Sequence, residues 1–487
     1  KSPAMRLLPS IGIEVHAELL TETKMFCGCP NRFGGEANTR VCPVCLGLPG
    51  SLPVPNRRAV QLVLRAALAL NCTIAPRSLF HRKNYFYPDL PKGYQVSQYE
   101  ETNPIGHHGH LDIPDPSTGG ETDVRVRIRR VHLEEDTGKL LHLPGGGAGV
   151  DFNRAGVPLM EIVTDHPPDV HDAETAREYV QQLRLLLVYL SVCDGKMEQG
   201  SFRCEPNISV APEGSDTLGT KTELKNLSSF KALATGIEHE VRRMARALEI
   251  GEILHQETRG WNEETQSSYP MRRKEGEADY RYFTDPDLPP MVFDEETIER
   301  ERAALPELPL AKRARYMRQL GLDAYDAGVL IQDPAWAAFF DEAVSLGANP
   351  KQACNWMNGD FARLLNDSGQ TLSTTKVTPS HIRDLIALLE SGTVNGRQAK
   401  DILEAAFQDG RLPGQIAEQE GLRQITDEGA VRALVLEVLG ANPDAVARYK
   451  EGKTTVKGFL VGQVMQKTKG RANPELVNRV LEEALAE

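Results

Sequence analysis

Cys27-Gly28-Cys29 is followed, after a short loop, by Cys42-Pro43-Val44-Cys45. Two close thiol pairs can converge on one tetrahedral ion at zinc–sulfur distances of about 2.3 Å. Thiolates suit zinc, and Gly28 permits the tight turn that the closer pair needs. The alternative is four reduced thiols in a loop. A site closed by four thiolates keeps no open position, so its role would be structural. The other cysteines (Cys72, Cys193, Cys204 and Cys354) are scattered and read as reduced, mostly buried thiols.

Carboxylates offer a second chemistry. Glu14 and His16 stand two apart in an alternating segment, Gly12-Ile13-Glu14-Val15-His16, so both point to one face while Ile13 and Val15 fill the other. Val157-Pro158-Leu159-Met160-Glu161-Ile162-Val163 places a single acid inside an apolar strand. A buried, unpaired carboxylate is costly, so Glu161 calls for a cation beside it. Glu14, His16, Glu161 and Glu135, the last from the run His132-Leu133-Glu134-Glu135-Asp136, could together hold Mg²⁺ or, given the imidazole, Mn²⁺. The competing reading is a solvated strand face for Glu14 and His16 and a salt bridge from Glu161 to an arginine such as Arg154.

No intact phosphate-binding P-loop is present. Gly214 to Thr222 comes close but carries an extra Thr220 before Lys221, and reads as a turn leading to a strand. Gly145-Gly146-Gly147 reads as a flexible loop and His107-His108-Gly109-His110 as a polar turn. The segment Phe80 to Gln98 mixes aromatics, lysines and a proline–glycine turn. Such a mix can stack a base and meet phosphates, or can be a surface hairpin with a hydrophobic anchor.

These residues need a scaffold. The first part of the chain, to about Pro290, is rich in Gly, Pro and period-two segments such as Arg125-Val126-Arg127-Ile128, with helical patterns near 56–70 and 172–192. Asp285-Pro286-Asp287-Leu288-Pro289-Pro290 is a natural stop. Beyond it, 294–320 and 334–367 read as amphipathic helices, and Ser380–Leu389 as another with Ser380 as N-cap. The expected fold class is α+β, a large mixed domain followed by an all-helical region in two parts. With 487 residues there is room for several domains and a sizeable core.

The net charge of −12 argues against a protein that coats nucleic acid nonspecifically. Charge is segregated, however: from Lys450 to Arg471, six basic residues face one acid, Glu451. That stretch could touch RNA phosphates or simply be a solvated helical face. No stretch of 18 residues is free of charge, so neither a membrane span nor a signal peptide is expected, and the expected location is cytoplasmic.

Several long runs resemble the B subunits of the tRNA-dependent amidotransferases. They are Gly12–His16, Cys42–Gly50, Tyr87–Gln95, His132–Asp136, Asp151–Glu161, Met197–Arg203, Asp279–Phe283 and, near the end, Gly458–Met465. They occur in the family's order and span essentially the whole chain. The resemblance implies an N-terminal cradle domain (1–292) with an antiparallel sheet like that of glutamine synthetase, a helical domain (293–405) and a tail (406–487). It implies ATP-dependent phosphorylation of the side-chain carboxylate of Asp-tRNA(Asn) or Glu-tRNA(Gln), then amidation. Ammonia would come through a tunnel from an amidase-type A subunit that hydrolyses glutamine, with a small C subunit completing the heterotrimer. Glu14, His16, Glu135 and Glu161 would line the metal and phosphate-transfer site. Lys83, Tyr87, Lys92, Gln95 and Ser97 would lie near the nucleotide, and the four clustered cysteines would hold zinc. Lys453, Lys457, Lys467, Lys469 and Arg471 would meet the mischarged tRNA.

Overall fold

The computed structural model describes residues 6–99, 103–143, 145–273, 280–421, 427–468 and 471–486. The fold is α+β, and the chain divides into two compact units, residues 1–312 and 313–487.

A nine-stranded sheet organises the first unit. In spatial order its strands are Ser267–Arg273, Glu257–Asn262, Thr222–Lys225, Phe202–Pro212, Leu7–Glu18, Pro158–Thr164, Asp123–Glu135, Gly106–Pro114 and Thr73–Ile74. Neighbours pair antiparallel except Thr222–Lys225 with Glu257–Asn262. A parallel pair needs a long crossover, and the helix Phe230–Glu249 supplies it.

Strict alternation gives the sheet two unlike faces. Ile11, Ile13, Val15 and Ala17 are fully buried on one side, while Glu14, His16 and Glu18 stand on the other. On the apolar side, the helices Arg57–Ala69, Ala173–Tyr189 and Phe230–Glu249 share one core with the strands. Each starts at a residue whose side chain accepts early backbone N–H groups: Asn56, Asp172 and Ser229. The segment Phe80–Gln98 does form a hairpin, His81–Asn84 paired with Tyr94–Ser97, to which Phe283–Thr284 adds a third strand. It lies against the C-terminal end of Asp123–Glu135, where Val96 N donates to Glu135 Oε1 at 3.0 Å.

One local expectation changes. His107, His108 and His110 lie in the strand Gly106–Pro114, not in a turn. Gly109 permits this because a Cβ there would sit 2.4 Å from Cys72 Sγ and 2.5 Å from Leu70 O. Gly145–Gly147 belongs to the connection between Lys139–His142 and Ala148–Asp151, which pair as a hairpin.

The second unit is helical in its described residues. The pattern over 334–367 is broken at Gly347, which adopts a left-handed φ of 101°, so Pro334–Ser345 and Pro350–Trp356 are separate helices. A π-helical turn, Met357–Phe361, then leads into Ala362–Ser368. The pattern over 294–320, which begins in the first unit, likewise splits into Glu295–Ala303 and Pro309–Leu320. Prolines open many of the helices beyond residue 330, where the missing N–H costs nothing. One is Pro379, so Thr378 and not Ser380 is the N-cap of Pro379–Glu390. Residues 427–486 have a core of their own, including Val431, Val435, Leu460, Val464, Val480 and Leu481.

Candidate active site and metal centre

Cross-strand register assembles the polar face row by row. Arg203 lies opposite His16, His16 opposite Glu161, and Glu161 opposite His132. Residues directly across a sheet share a face, so four strands contribute one line of titratable groups. His132 Nε2 is 2.8 Å from Glu161 Oε2. His16 Nε2 lies 3.7 Å from Glu134 Oε1 and 3.9 Å from Glu161 Oε2. One donor atom each from His16, Glu134 and Glu161 falls within 4.8 Å of the others, so these three could hold a cation. Nδ1 of His16 and of His132 is buried with no hydrogen-bond partner among the described residues.

The electrostatics of this row are steep. Burial alone would raise the Glu161 carboxyl, but His132, His16 and Arg130 hold it well below the usual carboxylate range. Glu134 is also lowered, its burial outweighed by the hydrogen bond to His132. Burial opposes protonation of His132, yet Glu161 and Glu134 raise it to about 9. Glu14, on the same face one row away, goes the other way. Burial raises it, and the charge of Glu161 adds to the effect. Its Oε1 accepts from Asn207 Nδ2 at 3.1 Å.

Glu135 points elsewhere. Alternation places it on the opposite face from Glu134, where it pairs with Lys92 and accepts the Val96 N–H. The structure therefore brings His16 and Glu161 together with Glu134, keeps Glu14 nearby, and uses Glu135 to anchor the hairpin. Arg154, the sequence candidate for the Glu161 partner, approaches Asp136 at 3.7 Å instead, and the cations beside Glu161 are His132 and Arg130, the latter at 3.8 Å.

The hairpin residues divide in the same way. Ser97 Oγ donates to Glu134 Oε2 at 2.8 Å, which places it at the row. Burial would lower the Lys83 ammonium, but Glu134, Tyr282 and Glu161 raise it, and it sits 4.8 Å from the Tyr280 ring centroid. Lys92 and Gln95 both serve Glu135: Lys92 pairs with its carboxylate, and Gln95 Nε2 donates to the Glu135 backbone oxygen at 2.8 Å. Tyr87 is exposed. At the other end of the row, Arg203 Nη1 reaches Asp136 Oδ2 at 2.9 Å and Glu18 Oε1 at 3.8 Å. Arg203 and Arg154 outweigh burial and hold Asp136 at about 2, whereas burial and the charge of Asp136 push Glu18 up to about 8.

His132, Glu134, Arg130 and Arg203 were not singled out by sequence. A usable signal was present: His132-x-Glu134 repeats, in reverse, the period-two pairing of Glu14-x-His16.

The cysteines converge. Sulfurs of Cys27, Cys29, Cys42 and Cys45 lie within 4.8 Å of one another. Cys42 N–H donates to Cys45 Sγ at 3.2 Å, and Lys24 Nζ approaches the same sulfur at 3.6 Å. The hydrogen bond from Cys27, with these two groups, outweighs burial and holds the Cys45 thiol down at about 4, while burial pushes Cys29 up to about 11. The remaining cysteines are buried and unpaired, as expected.

In the tail, Lys450 and Lys453 are exposed, while Lys457 pairs with Glu482 and Lys467 with Glu437. Arg471 Nε donates to Thr468 O at 3.3 Å. Lys469 lies outside the described residues. Among the described residues no helix is long and apolar enough to cross a membrane.

The GatB/GatE catalytic domain family matches residues 9–299, and the GatB domain family matches 338–485. The B subunit of the aspartyl/glutamyl-tRNA(Asn/Gln) amidotransferase of Caldanaerobacter subterraneus is 50% identical over 476 residues, 98% of each chain. Its counterpart in Thermodesulfovibrio yellowstonii is 47% identical over 98% of this chain and 99% of its own. The counterpart in Persephonella marina is 47% identical over 99% of this chain and 100% of its own. End-to-end identity at this level, with both domain families in order, leaves one assignment: the chain belongs to the GatB family.

Proposed function

We propose that this chain is the component of a glutamine-dependent aminoacyl-tRNA amidotransferase that activates and amidates the side-chain carboxylate of Asp-tRNA(Asn), Glu-tRNA(Gln) or both. The observation that carries the site assignment is the row His16–Glu161–His132 with Glu134, on the polar face of the central sheet.

A carboxylate does not react with ammonia at neutral pH, because its oxygen leaves poorly. Attack of the carboxylate oxygen on the γ-phosphorus of ATP expels ADP and makes an acyl phosphate. Ammonia then attacks the acyl carbon, and inorganic phosphate departs with the bonding pair. Such transfer depends on positioning and charge neutralisation and needs no protein nucleophile. Lys83, with Glu134 keeping it charged, is suited to meet phosphate oxygens beside the row. Ser97 fixes the Glu134 carboxylate.

His16, Glu134 and Glu161 fit Mg²⁺ or Mn²⁺ as donors. Their nitrogen–oxygen separations of 3.7 and 3.9 Å fall between the adjacent and opposite ligand spacings, about 3 and 4 Å, of an octahedral ion. The ion would neutralise charge on the transferring phosphoryl group. The four cysteines fit zinc: a tetrahedral site places sulfurs about 3.8 Å apart, and theirs all lie within 4.8 Å of one another.

Within this reading residues 1–292 are the catalytic cradle, similar to glutamine synthetase, 293–405 the helical domain and 406–487 the tRNA-binding tail. The relatives are each named as one component of an amidotransferase, which supports partner chains, here an amidase A subunit that supplies ammonia and a small C subunit. A charged tRNA substrate supports a cytoplasmic location. The test is the reconstituted complex with ATP, glutamine and each mischarged tRNA. Asn-tRNA or Gln-tRNA formation with ADP release is expected, and amidation that persists without ATP would overturn the reading.

A further inference from the structure

Lys24 is one of the largest fully buried side chains in the molecule, at 1% exposure. A buried ammonium is costly without counter-charge. Among the described residues no carboxylate forms an ion pair with it. Its Nζ meets Cys45 Sγ at 3.6 Å and the Phe152 carbonyl at 3.3 Å. Glu135, an acid close by in the fold, is committed to Lys92. Four thiolates around a divalent ion leave two negative charges in excess, so the loaded cluster supplies the counter-charge that the surroundings lack.

The backbone ties the same lysine to the sheet. Lys24 N donates to Cys29 O at 2.9 Å and Met25 N to Gly156 O at 2.7 Å. Gly156 has a left-handed φ of 82°, and a Cβ there would touch Cys45 and Lys24 together. Phe152 to Gly156 is the turn that leads into the strand carrying Glu161.

We infer that Lys24 is a positioning residue of the four-cysteine site. Its ammonium compensates the metal tetrathiolate and, through the Phe152 carbonyl, couples metal occupancy to the turn that delivers Glu161. The inference rests on reading the cysteines as a zinc site and goes beyond it by assigning a residue outside the ligand set.

The full chain is purified as wild type, K24M and K24R, and zinc affinity is measured by competition with a chromophoric chelator. Loss of an outer partner of a metal ligand costs about 10–100-fold in affinity. K24M is expected to fall in that range and K24R to recover part of it. In the cobalt-substituted protein, the thiolate-to-metal charge-transfer band should move to longer wavelength in K24M, because Cys45 loses its cationic partner. If K24M does not fold, amine acylation of the wild-type chain decides: Lys24 should be protected when loaded and labelled once the metal is stripped. Zinc affinity in K24M equal to wild type, or equal protection of Lys24 in loaded and stripped chains, overturns the inference. A wild-type chain that takes up no zinc at all would instead overturn the reading of the cysteines.

Discussion

His132 Nε2 and Glu161 Oε2 stand 2.8 Å apart, directly across two antiparallel strands, with His16 opposite Glu161 on its other side. Glu161 is thus flanked by two imidazoles, which is how a single acid survives in the middle of an apolar strand. Glu161→Gln keeps the shape and removes the charge. The expected outcome is a loss of about 100-fold or more in charged-tRNA-dependent ATP hydrolysis, the scale seen when a preorganised electrostatic group is removed. Near wild-type ADP release from a folded variant would remove Glu161 from the site.

Adjacent Glu134 and Glu135 face opposite sides of the sheet, so they make a paired test. Glu134→Gln should reduce ATP-dependent amidation by about 100-fold. Glu135→Gln should keep turnover within about tenfold and instead lower stability by about 1–3 kcal/mol, since a half-buried Lys92 loses its ion partner. Turnover and melting of the two variants, compared side by side, decide the matter; the reverse pattern would exchange their roles.

Cys42→Ser should bind less than one equivalent of zinc by elemental analysis. Chelation of the wild type should lower the melting temperature and expose the loop from Cys27 to Cys45 to proteolysis, because metal binding and local folding are linked. Unchanged melting after verified removal of the metal would show that the loop holds itself.

Glu301 links two helices, accepting from Gln61 at 2.8 Å and Arg65 at 2.7 Å. Burial would raise its carboxyl, but these partners lower it. A lowered folded value means that the stabilisation is present above the unfolded value of about 4.5 and is lost as pH falls through the folded one. The advantage of wild type over Glu301→Gln, about 1–3 kcal/mol at neutral pH, should shrink between about pH 5 and pH 3. Denaturant midpoints at several pH values would show it, and a gap that widens on acidification would contradict the argument.

The tail lysines are not equivalent. Lys450 and Lys453 are exposed, while Lys457 and Lys467 hold acids. Replacing Lys450 and Lys453 with Ala should weaken tRNA binding and reduce the slope of log affinity against log salt by roughly one to two. Replacing Lys457 and Lys467 should change it less. Identical slopes for both double variants and wild type would leave the basic stretch as a solvated face.

Sequence patterning found the alternating strand that carries Glu14 and His16, the apolar strand around Glu161, the hairpin after Phe80 and the cysteine cluster, because each is written in local spacing. It selected Glu135 where the row uses Glu134, because local spacing does not say which of two adjacent acids faces which side. Register against Pro158–Thr164 does. It read His107–His110 as a turn, since polarity outweighed the close packing that Gly106 and Gly109 allow around Cys72. It counted the charge of the tail without Glu437 and Glu482, which arrive from other helices.

The alternation of the Leu7–Glu18 strand also governs how this gene can change length. One codon lost or gained between Ile13 and His16 would set the two ends of that strand out of phase, so that part of it turns its acids or imidazole toward the greasy side or its apolar residues into water, disarming the chemistry in a single step. The same slip at Gly145–Gly147, in the connection between the two strands of a separate hairpin, would leave that line intact. Insertions and deletions among descendants of this chain should accordingly collect at such loops and be purged from the first strand.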